Sequence, residues 1–75
     1  MKVGDIVTVD KQTDERGFRK KIVGVVDWID KNDPVFLMRP QSIYAYHPDL
    51  PEGGRDLPCP WTLIAFDVSE IVPNG

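Results

Sequence analysis

Paired cysteines, clustered metal ligands, membrane-spanning runs and an excess of positive charge are all missing from this chain, and each absence removes a class of function. Cys59 is the only cysteine, so no internal disulfide forms and the core must hold without covalent help, as suits a reducing compartment. His47 is the only histidine; with Cys59 it makes two soft ligands where a structural zinc site needs four. The same two residues make a poor nucleophile pair, because Cys59 sits between Pro58 and Pro60 with no orienting partner or oxyanion donor evident. Asp27, Asp30 and Asp33 recur at intervals of three, with the hydrophobic Trp28 and Ile29 between the first two, unlike a calcium loop. Asp49, Glu52 and Asp56 have no second catalytic group beside them, and Gly53-Gly54 lacks the strand-to-helix setting of a phosphate loop. The expectation is therefore no enzyme, no metal, no cofactor and no small-molecule substrate. No apolar run nears the roughly 18 residues of a membrane span, and Met1-Lys2-Val3-Gly4-Asp5 leads into a strand without a signal-like apolar region. A cytoplasmic, soluble protein without a membrane partner is expected.

The net charge of −3 argues against general attraction to nucleic acid. The charge is uneven, however: Arg16, Arg19, Lys20 and Lys21 fall within six positions. With 75 residues, 41% of them hydrophobic and 28% charged, the chain reads as one globular domain over 1–75. A domain of this size buries only about 60% of the surface that its unfolded chain exposes, so its core is thin.

That core is organised by Lys21-Ile22-Val23-Gly24-Val25-Val26-Asp27-Trp28-Ile29-Asp30, a β-branched and aromatic stretch that predicts a long central strand. Strict alternation puts Ile22, Val26 and Trp28 on one face with Gly24, and Val23, Val25 and Ile29 on the other. Both faces are apolar, so the strand is expected to serve two halves of a small sheet, bending at Gly24, with Trp28 in the core.

Val3 to Asp10 predicts the first strand, with Gly4-Asp5 as the turn feeding it and Val3, Val7 and Val9 on one face. Asp10 to Lys20 is polar and reads as a long hairpin loop, with Phe18 folded back as a lid on the core. The turn formers Asp30 to Pro34 end the central strand. A third strand then covers Val35–Arg39, antiparallel to the second and closed by Pro40, with Gln41–Tyr46 as a possible continuation that sets Tyr44 and Tyr46 on one face. His47 to Pro60 holds four of the seven prolines and Gly53-Gly54, and it reads as a long loop without periodicity. Trp61–Phe66 predicts the fourth strand. Asp67, with Glu70 three positions on, predicts a capped helical turn, and Ile71-Val72 a brief last strand stopped by Pro73-Asn74-Gly75. The fold class expected is all-β: a five-stranded small barrel, closed or nearly so because open edges would be sticky, with one short 3-10 turn before the last strand.

Gly4-Asp5-Ile6-Val7-Thr8-Val9 is similar to the G-D-x-V-x-V opening strand of SH3-like small barrels, and Gly24-Val25-Val26 looks like the G-x-V of their second strand in KOW-type modules. Val35–Arg39 fits their third strand, and Asp67–Val72 their helical turn and closing strand. The resemblance spans most of the chain and implies an SH3-like barrel of the kind found in bacterial and phage proteins. It implies no single function, because this barrel serves RNA, DNA, proteins and assembly alike. The acidic-aromatic loop and paired tryptophans of peptide-binding SH3 domains are absent, so proline-rich ligands are not implied.

Two surfaces compete. The first is a protein-binding surface made by the 47–60 segment and its neighbours, with Tyr44, Tyr46, His47, Leu50, Arg55 and Trp61 as contacts, since aromatics with polar tips suit interfaces and a proline-stiffened segment loses less entropy on binding. The alternative is a nucleic-acid surface made by Arg16, Phe18, Arg19, Lys20 and Lys21, where cations interleaved with an aromatic suit phosphate contact and base stacking. Against it stand Asp14 and Glu15, which balance those cations in a solvated loop. The first reading is preferred: a non-enzymatic accessory module with a protein partner.

Overall fold

In the computed structural model, which describes residues 1–73, five antiparallel strands are formed among the described residues: β1 (Ile6–Gln12), β2 (Arg19–Ile29), β3 (Val35–His47), β4 (Leu50–Leu57) and β5 (Ile64–Asp67). A 3-10 turn covers Val68–Glu70. The strands run β1-β2-β3-β4 across the sheet, and β5 also pairs with β3. The pairing divides one edge of β3 in two. Val35–Met38 takes β5, whereas Ile43, Tyr44, Ala45 and His47 take residues of β4. β4 and β5 thus follow one another along the same edge, interrupted by residues 58–63.

Val9, Ile22, Val26, Phe36, Met38, Ile43 and Phe66 form the buried core, with Val7, Ile29, Leu57, Cys59, Ile64 and Ile71 packed around it. The sheet curls about this cluster but is not closed. After the 3-10 turn the chain returns to β1 through a single bridge, Val9–Ile71, and one bond from Val72 N–H to the Thr8 carbonyl at 2.8 Å. The closing strand expected at Ile71-Val72 is therefore one bridge, and its expected stop at Pro73-Asn74-Gly75 lies partly outside the described residues.

Two irregularities between β2 and β3 shape the sheet. At the first, Gly24 lies opposite Pro40 and Val23 opposite Ser42, so Gln41 is extra. A Cβ on Gly24 would fall far inside contact with the Arg39 carbonyl oxygen and 2.7 Å from Met38 Cγ; only glycine allows this approach. Pro40 does not end the strand, because the bulge absorbs its missing N–H. At the second, Val26 faces Met38 but Trp28 faces Leu37, so Asp27 is extra. One inserted residue reverses the alternation. Ile29 consequently joins the core, and Trp28 turns outward and is 47% exposed, which corrects its expected place inside.

The largest departure is the expected long loop at His47–Pro60. Pro48-Asp49 is a two-residue turn, His47 pairs with Leu50, and Leu50–Leu57 is a strand. An edge strand needs only one row of hydrogen bonds, so it tolerates proline and glycine, and with most of its residues exposed it shows no apolar alternation. Trp61–Leu63, expected in a strand, lies outside one, and pairing begins at Ile64. At the other end, β1 and β2 zip further than their polarity suggests, which shortens the first loop to Thr13–Phe18. Val3 is exposed before β1 begins.

The capping expectation holds. Asp67 accepts from Ser69 N–H at 2.8 Å, and the Glu70 carboxylate accepts from Asp67 N–H at 3.4 Å. Asp30 caps its turn likewise, accepting from the N–H groups of Asn32 and Asp33 at 2.8 and 3.1 Å. These N–H donors hold both carboxyls below the ordinary carboxylate range. Their contribution to stability is present above the unfolded carboxyl range and is lost as pH falls through the depressed folded values, below about pH 4. The urea midpoint is expected to fall between pH 6 and pH 3, and to fall less in Asp67→Asn.

Candidate functional site

Beyond the core, the ends of β1 and β4 and the facing halves of β2 and β3 extend as an arm, consistent with overall dimensions of 38 × 24 × 21 Å. The register sorts its residues onto two faces. On the outer face, turned from the core, Asp10, Lys21, Tyr44 and Asp56 form one rank across β1 to β4, and Gln12, Arg19 and Tyr46 the next. On the inner face Lys11, Lys20, Ala45 and Arg55 form a rank that continues Val9, Ile22, Ile43 and Leu57.

The outer face is internally bonded. Arg19 Nε donates to Asp10 Oδ1 at 2.8 Å, and the Tyr46 hydroxyl donates to the other oxygen of Asp10. The bond to Asp10 raises the Arg19 pKa, and the same carboxylate, followed by partial burial, raises that of the Tyr46 phenol. The first therefore stays charged and the second protonated. Lys21 Nζ stands 5.2 Å from the centroid of the Tyr46 ring, and Tyr46 stacks on Tyr44 with centroids 6.0 Å apart at 21°. Gly54 makes room for this pair: a Cβ there would overlap the Tyr44 hydroxyl and stand 2.9 Å from its Cε2.

At the end of the arm His47 fastens two loops. Its Nε2 lies 2.8 Å from the Arg16 carbonyl oxygen, and its Nδ1 is 3.1 Å from Asp49 N–H. One neutral tautomer satisfies both, with Nε2–H donating and Nδ1 accepting. Phe18 meets the His47 ring edge-on at 5.0 Å and lies beneath the Arg16 guanidinium at 5.5 Å. It is 37% exposed and outside the core cluster, so it is not a lid on the core; the extended hairpin carries it to the arm instead. Arg16 also pairs with Asp14 at 3.5 Å.

The structure thus mixes the two residue sets that the sequence keeps apart. Tyr44 and Tyr46 share the outer face with Arg19 and Lys21. On the inner side Phe18, Lys20, His47 and Arg55 gather around Ala45. Leu50 is exposed at the hairpin tip beside an open depression lined by Asp49, Leu50, Glu52 and Gly53. Trp61 is exposed, but it lies in the break between β4 and β5 and not on the arm. Asp10 and Gly54 were not singled out by sequence. Asp10 stands in the sequence only as the boundary between the first strand and the polar loop, and Gly54 as a loop residue.

Among the described residues no group of three or more His, Cys, Asp or Glu side chains is placed to hold a metal ion, and no helix is long and apolar enough to cross a membrane. No protein-family model, no curated protein and no solved structure matches the chain.

Proposed function

We propose that this chain is a small, non-enzymatic binding module whose outer sheet face, centred on Tyr44 and Tyr46, docks a protein partner. The observation that carries this reading is the stacked tyrosine pair, Tyr44 exposed and Tyr46 half-buried, with Tyr46 fixed by the Asp10–Arg19 network. A rigid aromatic pair loses little side-chain entropy on binding. The surrounding face favours protein over nucleic acid. Arg19 is matched by Asp10, and Arg39 by Asp27 at 2.7 Å, so few cations remain there for phosphate. The same face continues through Val23, Val25 and Ile6, the last 65% exposed, to Trp28, an apolar surface of the kind that partners cover.

An SH3-like small barrel remains the fold reading that the element order supports. A three-strand meander, a capped 3-10 turn before the chain returns to β1, and the Val9–Ile71 bridge all fit it.

Partner capture tests the docking face. The captured protein should stay bound in high salt, and Tyr44→Ala or Tyr46→Ala should weaken it by about 30-fold or more, as for a buried aromatic anchor of about 2 kcal/mol. Gly54→Ala should weaken it too, by displacing Tyr44, while leaving the fold intact because only the tip of one side chain must move. Arg16→Ala should have no effect. Amide shifts at 16–21 on adding mixed-sequence DNA or RNA, reversed by salt, would instead favour the nucleic-acid reading.

A further inference from the structure

The inner face of the arm holds an arrangement that docking on the outer face does not use. Lys11, Lys20, Ala45 and Arg55 stand in one rank, three cations and one methyl in a chain of net charge −3. Like charges opposite one another on neighbouring strands are destabilising. Lys11 is compensated by Glu70 at 3.4 Å. Among the described residues Lys20 and Arg55 form no ion pair.

Strand spacing puts the α-carbons of Lys20 and Arg55 about 10 Å apart across Ala45, within reach of one anion held over its methyl group. The small side chain of Ala45 leaves space. A recess of about 150 Å³ opens there, lined by Phe18, Ala45, Tyr46, Gly53 and Arg55. Phe18 forms one wall, steadied by the His47 ring.

We propose that this recess binds a compact dianion, a phosphomonoester group, with Lys20 and Arg55 on its oxygens and Phe18 against the organic body that carries it. Two uncompensated cations match two negative charges; a carboxylate or an internal phosphodiester supplies only one. The guanidinium fork of Arg55 suits two phosphoryl oxygens at once. Tyr46 borders the recess, but Lys20, Ala45 and Arg55 lie on the inner face, so substitutions at Lys20 and Arg55 test this site separately from the protein-docking face.

The test is amide NMR of the whole chain titrated with phenyl phosphate at constant ionic strength and pH 8, where the monoester is a dianion. Saturable shifts are expected at Phe18, Lys20, Ala45 and Arg55, with none at Val25 or Trp28. Lys20→Gln and Arg55→Gln should each weaken binding about tenfold, the loss of one charge-assisted hydrogen bond. The same spectra report whether each variant is folded, and Arg55 is exposed, so at least that variant keeps the test open. Shifts that never saturate, that acetate reproduces at equal concentration, or that survive both substitutions overturn the site. A single-stranded oligonucleotide binding more tightly than phenyl phosphate overturns the dianion assignment and gives the rank to a nucleic-acid backbone.

Discussion

Gly24→Ala is expected to remove about 3 kcal/mol or more of stability, at or beyond the upper end of ordinary overpacking. The added methyl meets the backbone carbonyl of Arg39 and the side chain of Met38, and Met38 is fully buried. A backbone atom cannot swing aside, so β2 and β3 must separate where they hold the core between them. A chain of this length has about 4–11 kcal/mol in total. Urea unfolding followed by tryptophan fluorescence should show the midpoint drop by about a quarter or more. A loss below about 1 kcal/mol would mean that the sheet relaxes easily there and that the approach is not needed. Gly54→Ala is the internal contrast: its obstacle is the tip of a half-exposed tyrosine, which can move.

Phe36→Ala should cost about 3–5 kcal/mol, because Phe36 is fully buried and packs beside Phe66 with centroids 6.3 Å apart, and a domain with so thin a core cannot refill the void. Trp28→Ala should cost about 1 kcal/mol or less, despite removing the larger side chain. The pair is informative because strict alternation along the central strand puts Trp28 in the core, where its loss would also be costly. If Trp28→Ala proved the more damaging of the two by chemical denaturation, the bulge at Asp27 would be misplaced and Trp28 would belong to the core.

That reversal shows where the sequence is legible and where it is not. β-branched density identifies the central strand, and the Asp67–Glu70 pattern identifies a capped turn, because both depend on interactions within a few residues. The close approach at Gly24 is also readable, since a lone glycine in an apolar strand has few other uses. Bulges are not readable. Asp27 and Gln41 look like ordinary strand residues, and only the pairing with a distant partner makes each of them extra. β4 is hidden for a related reason: an edge strand needs neither apolar alternation nor freedom from proline, so Leu50–Leu57 resembles a loop. The candidate site is half visible. Its tyrosines and cations stand out singly, but their assignment to two faces depends on the register of four strands. Asp10, which fixes two of them, lies 36 residues from Tyr46.

The break between β4 and β5 leaves a crease along one edge of the sheet. Gly24, Pro40 and residues 58–63 mark the line, and the Cys59 thiol reaches across it toward the Pro40 carbonyl at 3.6 Å. The core spans this line, with Val26, Phe36, Met38 and Phe66 on one side and Val9, Ile22 and Ile43 on the other, where the arm begins. β1, β2 and β3 cross this line unbroken and only the edge beside β3 is interrupted, so a change in the length of the six-residue connector 58–63 falls on that edge alone. Such a change alters no residue of the tyrosine face or of the inner rank of cations.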